Sequence, residues 1–275
     1  MTQVYRTLRV AASDKGVLGV VMDAPMNLIG PELVHDLVML IGALGSGQET
    51  RVMVLESADP DYFIPHVDLT KVDQYTAEAA KAGGPDDASL GMLWHKLSEL
   101  PVVTIAKICG RARGAGSELA LACDMRFAAR ENAILGQIEV GAGTTPGAGG
   151  VQHLARLLGR GRAIEVILGA DDFGADQAER YGWINRALLD ADLDAFVARL
   201  ARRIASFPAD AVRTAKRALN ELTLPGADAI RADARRFHQL AASDTAKART
   251  AALFAWGLQT RGPLELDLGD RIGAL

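Results

Sequence analysis

The chain has 275 residues, 49% of them hydrophobic and 23% charged, with a formal net charge of −4 and a mean hydropathy of +0.10. It is long enough to bury a full core as one domain with an appendage, and too acidic to bind nucleic acid across a broad basic face. No apolar run is long enough to span a membrane, and the N-terminal MTQVYRTLRVAASDKG lacks the apolar core of a signal segment.

In chain order, short apolar runs predict strands at Val4–Val10, Val17–Met22 and Val52–Leu55. PELVHDLVMLIGAL (Pro31–Leu44) predicts a helix with proline in its first turn. Tyr75 to Ser89, with its GGPDD cluster, reads as a mobile loop or short helical excursion. Further strands are expected at Val102–Ile108 and Met125–Ala128, so strands and helices alternate and the class is α/β. After Asp190 the pattern changes. LDAFVARLARRIASF, ADAVRTAKRALNEL and ADAIRADARRFHQLAA carry apolar residues at three- and four-residue spacing, which predicts helices packed on the core or on a neighbouring subunit. Cys109 and Cys123 have neither CxxC nor metal-ligand spacing and read as reduced core thiols. A cytoplasmic enzyme is the expectation.

The chemistry concentrates between Val102 and Gly150. There a buried strand runs through Cys109–Arg113 into Gly114-Ala115-Gly116, and SELALACD opens a helix. Free N–H groups at a helix start attract a developing oxyanion, and glycine lets backbone approach a ligand closely. Glu118 falls in the first turn of that helix, where an isolated glutamate would simply complement the dipole. Glu139 stands between Gly136 and Gly141 in a turn-rich segment, where by itself it would be an ordinary loop carboxylate. Together they suggest a site that polarises a carbonyl and moves a proton beside it.

These segments resemble the crotonase superfamily, specifically the enoyl-CoA hydratase/isomerase family. GAGSELALACD is similar to the segment that carries the family's first catalytic glutamate, and GQIEVGAGTTPGAGG to the one that carries its second. FIPHVDL (Phe63–Leu69) resembles the loop that supplies a further oxyanion N–H, and the likeness runs over roughly residues 5–260. The resemblance implies a crotonase-like spiral of ββα units in residues 1–200, with a C-terminal helical region in 201–275 that packs on the core or on neighbouring subunits. It also implies a homotrimer or dimer of trimers. The implied reaction is hydration of an α,β-unsaturated acyl-CoA thioester. Its carbonyl would lie between the N–H groups of Val67 and Ala115, with Glu118 as base on water and Glu139 as proton donor to C2. Two carboxylates sharing one water should have pKa values raised or driven apart. Pro65, His66, Asp68, Gly114, Gly147 and Phe254 are the implied substrate contacts. No metal or redox cofactor is implied, because coenzyme A arrives with the substrate, and neither nucleic acid nor membrane is an expected partner.

The chain also departs from the family. Its loop reads Pro65-His66-Val67-Asp68 where Ala-Gly-Ala-Asp is common, Ala115 replaces a usual glycine, and Ile138 stands where proline commonly precedes the second glutamate. DAPMNLIG (Asp23–Gly30) lacks a basic residue for coenzyme phosphates, and FAWGLQTRG lacks the usual basic pair after Phe254. Arg111 and Arg113, or Arg156, Arg160 and Arg162, could meet those phosphates or form a solvated face. His66 and Asp68 find no third ligand for a metal. His35, His95, His153 and His238 read as structural, and Trp183 and Trp256 as packing residues. Other readings are a different crotonase-type reaction such as double-bond isomerisation, or an acyl-CoA binder without turnover. A dinucleotide-binding dehydrogenase fits poorly, since Leu119 stands where the third glycine is needed.

Overall fold

The structure, a computed structural model, describes residues 4–12, 16–47, 49–83 and 87–275. Its strands are β1 (Leu8–Ala12), β2 (Val17–Met22), β3 (Val52–Ser57), β4 (Tyr62–Ile64), β5 (Val103–Ile108), β6 (Arg111–Arg113), β7 (Met125–Ala129), β8 (Ile134–Gly136), β9 (Asp172–Gly174) and β10 (Arg186–Leu188). The helices up to β10 are α1 (Pro31–Ser46), α2 (Val72–Ala80), α3 (Leu90–Glu99), α4 (Ala115–Ala122), α5 (Gly150–Leu158), α6 (Arg160–Gly169) and α7 (Ala175–Tyr181). Beyond it come α8 (Asp190–Ala205), α9 (Ala209–Thr223), α10 (Ala227–Ala241), α11 (Asp244–Ala255), α12 (Pro263–Leu266) and α13 (Leu268–Ile272).

Among the described residues the strands form a six-stranded sheet in the order β1-β2-β3-β5-β7-β10 and a four-stranded sheet in the order β4-β6-β8-β9. The chain alternates between them. From β3 it enters β4, then α2 and α3; from β5 it enters β6, then α4; from β7 it enters β8, then α5. Each turn thus lays one strand on each sheet and adds helix. Pairing is parallel through β3, β5 and β7, and again through β4, β6 and β8. This is a spiral of ββα units in a mixed α/β fold, with the chain helical from α8 onward.

The central strands β3 and β5 are buried on both faces over much of their length, so VMVLES and VTIAKI start as largely apolar runs without strict alternation. One face packs on the core that contains Trp94, Phe63 and Trp183, and the other on α8 through Phe127, Leu193 and Val197. A smaller cluster of Ile138, Leu253, Leu258, Leu268 and Ile272 seats the end of the chain beside the turns after β8.

One expectation is corrected here. The first strand starts at Leu8 rather than Val4, because the Asp36 carboxylate on α1 takes the Arg6 and Thr7 N–H groups at 2.8 and 2.7 Å before any ladder can. Of the two readings of the segment from Tyr75, the helical excursion matches as far as Ala80, while its Gly84, Pro85 and Asp86 lie outside the described residues. Likewise Met1–Gln3 and Ser13–Lys15 of the N-terminal stretch lie outside them.

Candidate active site

The site is assembled at the carboxyl ends of three neighbouring parallel strands. Residues 65–68 follow β4, Gly114–Glu118 follow β6, and Gln137–Glu139 follow β8. Because Arg113 on β6 is in register with Gly136 on β8, and Gly114 N–H extends the ladder to the Gly136 carbonyl at 3.0 Å, the two glutamate segments leave the sheet side by side. Ligands in open parallel sheets gather at this edge. Gly114 has φ 50° and ψ −126°, a conformation that favours glycine, and it turns the chain sharply from strand into α4. Gly116 follows inside the helix, where any Cβ would collide with the Ile64 carbonyl, so α4 starts pressed against β4.

These loops, α10 and the C-terminal helices enclose a cleft with about 110 Å³ of interior space, open to solvent at its mouth. Its lining is mostly apolar, including Leu69, Tyr75, Leu90, Ile138, Phe237 and Leu258. Of the backbone N–H groups in its wall, two that the family resemblance singles out have neither a backbone nor a side-chain acceptor among the described residues. One is that of Ala115, the first residue of α4 and an orphan donor at a helix start. The other belongs to Val67. There Ile29 N–H bonds the His66 carbonyl at 3.1 Å and Asp68 N–H bonds the Ile29 carbonyl at 3.0 Å, so the intervening Val67 N–H points the opposite way.

The glutamates share one environment but not one set of partners. Glu118 Oε1 accepts the Ala148 and Gly150 N–H groups, both at 2.8 Å, leaving its other oxygen without a protein hydrogen bond among the described residues. Glu139 accepts the Gln137 amide, 3.2 Å from each oxygen, and its own backbone N–H also favours its charged form. A methyl group at Gly150 would lie 2.8 Å from Gln137 Nε2 and 3.0 Å from Glu118 Oε1, so the amide that meets Glu139 also comes near Glu118. Burial raises the Glu118 pKa to about 7 against the pull of its two N–H bonds. Burial and the Glu118 charge push Glu139 well above the ordinary carboxylate value. Sharing a buried space, the pair favours one proton between them.

A family model described as "Enoyl-CoA hydratase/isomerase" matches residues 12–256. The chain belongs to the enoyl-CoA hydratase/isomerase family. It is 33% identical over 197 residues to the short-chain-enoyl-CoA hydratase of Clostridium acetobutylicum, covering 71% of this chain and 73% of that one. To the crotonyl-CoA hydratase of Syntrophomonas wolfei it is 34% identical over 197 residues, covering 71% and 74%. A crystal structure of a presumptive enoyl-CoA hydratase from Streptomyces avermitilis superposes with a TM-score of 0.98 at 60% identity, covering 100% of this chain and 99% of that one.

Most of the residues expected from family resemblance meet at this cleft. His66, Val67, Gly114, Ala115, Glu139 and Gly147 line it, and Glu118 stands behind its Gly147–Gly150 wall. His66 and Ala115 keep negative φ, so standing where the family commonly has glycine costs no backbone strain, and Val67, in place of the usual alanine, keeps negative φ too. Asp68 is turned away: its Oδ1 caps Thr70 and accepts the Gln259 amide at 2.9 Å, and Pro65 is buried without lining the cleft. Phe254 does not reach the cleft in this chain. It is 36% exposed on α11, while its neighbour Leu253, about 100° around the helix, lines the cleft.

Neither sequence reading of Arg113 holds: it is fully buried, with its guanidinium on Asp172 and on the Glu265 and Leu266 carbonyls. Trp256 is 47% exposed rather than packed, and His238, read as structural, lines the cleft mouth. Residues that sequence reasoning missed are Gln137 beside Glu139, the Ala148 and Gly150 N–H groups on Glu118, and Glu265 and Gln259 behind the Pro65–Asp68 loop. For the first three the spacing within GQIE and PGAGG was a usable signal; for the last two the sequence carries none.

Proposed function

We propose that the protein is an enoyl-CoA hydratase that adds water across the C2=C3 bond of an α,β-unsaturated acyl-CoA thioester. The observation that carries this reading is a pair of buried carboxyl groups close enough for the Glu118 charge to act on Glu139. Glu139 lines the cleft, Glu118 stands behind its Gly147–Gly150 wall, and the Val67 and Ala115 N–H groups in that lining have no acceptor among the described residues. The thioester carbonyl accepts both N–H groups, which stabilise the charge that builds on its oxygen as C3 is attacked. Removing one such donor typically costs about 3 kcal/mol of transition-state stabilisation.

The two carboxyl groups divide the proton work by environment. Glu118, whose ionised form is favoured by two backbone N–H bonds, takes a proton from water as the water oxygen bonds to C3. Glu139, buried beside the Glu118 charge and without the pair of backbone N–H bonds that Glu118 accepts, favours its protonated form and delivers that proton to C2. The π pair of C2=C3 ends in the new C2–H bond. The apolar cleft excludes other water and receives the acyl chain. This chemistry needs neither a metal nor a redox cofactor, and coenzyme A enters as part of the substrate. Among the described residues no group of three or more His, Cys, Asp and Glu is arranged to hold a metal ion.

The same reading includes a cytoplasmic location and assembly as a trimer or pair of trimers. No helix among the described residues is long and apolar enough to cross a membrane, and exposed Leu219 and Leu222 on α9, with Trp256 after α11, support burial against another copy. The decisive experiment mixes purified protein with crotonyl-CoA and longer 2-enoyl-CoA esters and follows loss of the conjugated thioester absorbance. Loss with at least one chain length is expected. No loss with any would remove hydration, and migration of a 3-enoyl double bond without hydration would assign isomerisation instead.

A further inference from the structure

The Pro65–Asp68 loop departs from its family's usual sequence, and the residue that replaces a glycine there has a partner 199 positions away. His66 Nε2 lies 2.9 and 3.2 Å from the two oxygens of Glu265, and its Nδ1 lies 2.8 Å from the Val67 carbonyl oxygen. A carbonyl only accepts, so Nδ1 carries the proton of that bond. Glu265 is fully buried. Burial pushes its pKa up, but the His66 hydrogen bond and charge, the Gln259 N–H and the Arg113 charge outweigh burial and hold it below its ordinary value. The other acid on the loop, Asp68, is occupied by Thr70, Gln259 and Lys71.

We propose that His66 and Glu265 are positioning residues: their buried pair locks the Val67 peptides so that the Val67 N–H faces the acyl oxygen. Competence of that half of the site is thereby tied to docking of residues 259–266. The inference rests on the hydratase reading, in which that N–H binds the thioester carbonyl. Two peptide planes flank Val67. Turning the first breaks the Ile29–His66 bond; turning the second breaks the Asp68–Ile29 bond and the ring's hold on the Val67 carbonyl. The ring is itself fixed by Glu265, whose segment is held by Arg113 Nη1 on the Glu265 carbonyl at 2.7 Å and Nη2 on the Leu266 carbonyl at 3.0 Å. Arg113 immediately precedes Gly114 and Ala115, so one guanidinium braces the strap against the wall that bears the second N–H.

The test is a double-mutant cycle of His66→Ala and Glu265→Leu, read as kcat and KM for crotonyl-CoA hydration, with near-ultraviolet circular dichroism and Tm to show that each variant is folded. Each single change is expected to lower kcat about 10- to 100-fold while KM stays within about threefold, since the lost interaction matters most in the transition state. The double variant should be no slower than the slower single one, because both changes release the same lock. Glu265→Gln, which can still bond Nε2, should recover part of the loss. If His66→Ala does not fold, His66→Asn replaces it: it keeps a donor near the Val67 carbonyl, cannot reach Glu265, and should show the same fall in kcat. Folded variants with near wild-type kcat, losses confined to KM, or multiplicative losses would overturn the proposal. Wild-type protein that hydrates no enoyl-CoA would sink the hydratase reading and this inference with it; a working wild type with indifferent variants sinks the inference alone.

Discussion

The two N–H groups that face the cleft are held by different kinds of structure. That of Ala115 is fixed by its own stretch of chain, through the β6–β8 ladder, the left-handed Gly114 and a glycine at 116 that lets α4 seat on β4. That of Val67 belongs to a loop joined by one isolated bridge to Ile29, in the link from β2 to α1, and clamped by side chains from residues 259–265. The first wall is built by backbone and local sequence, the second by tertiary contacts between distant side chains. The local wall should therefore fail through stability, and the strapped wall through turnover.

In the proposed reaction both walls serve the same pair of acids, so the largest effect is expected there. Glu118→Gln and Glu139→Gln each keep shape and remove a proton carrier. Each should lower kcat about 100- to 10,000-fold, with an unchanged circular dichroism spectrum. Near-full activity in either variant would strip that residue of its proposed role, and equal walls around an idle acid would make the comparison pointless.

Next in size is Gly116→Ala. Alanine in a helix normally helps by up to about 1 kcal/mol relative to glycine. Here its Cβ would meet the Ile64 carbonyl, a backbone atom of β4 that cannot swing aside. A loss of about 3 kcal/mol or more is expected in denaturant unfolding. Wild-type stability in this variant would show that the local wall is soft after all.

This contrast also explains what was legible. The strand at Val17–Met22 matches its expected bounds, α1 and the strands near 52, 103 and 125 match within a few residues, and the helical run after Asp190 is present. Each is long enough to show its period. The four-stranded sheet was not anticipated, because its strands β4, β6, β8 and β9 are three residues each, too short for alternation to register. Yet β4, β6 and β8 bring the site together. Resemblance to the family located Glu118, Glu139, Val67 and Ala115 without the sheet that unites them. It gave no hint of Glu265 or Gln259, since a side-chain bond between residues 66 and 265 leaves no spacing to read.

A smaller effect concerns the proton inventory behind the local wall. Glu118 has a pKa of about 7 in the folded protein against an ordinary 4.5. Between those values the folded state keeps a proton that the unfolded chain has released, so this group's contribution to stability falls as pH rises through that window and is constant above it. Glu139 acts in the same direction. Relative to wild type, Glu118→Gln should therefore gain stability from pH 4.5 to pH 7, by about 2–3 kcal/mol. Urea unfolding at several pH values measures the difference. A difference that is flat with pH would mean that the carboxyl is ionised throughout.

The smallest expected effect lies in the strap. Gln259 Oε1 accepts the Leu69 N–H at 2.8 Å and its Nε2 donates to Asp68 Oδ1 at 2.9 Å, while its own backbone N–H bonds Glu265 Oε1 at 2.5 Å. Its φ is 63°, a left-handed conformation that asparagine tolerates better than most residues. Gln259→Asn should keep the backbone turn and the bond to Glu265 but be too short to reach both Leu69 and Asp68. The His66–Glu265 pair would stay, so the Val67 peptides should loosen without turning. A fall in kcat of about two- to fivefold and a stability loss near 1 kcal/mol are expected, one or two hydrogen bonds being exchanged for water. A fall in kcat as deep as that of His66→Ala would show that the amide, rather than the imidazole, does the clamping, and the strapped wall would have to be redrawn around Gln259.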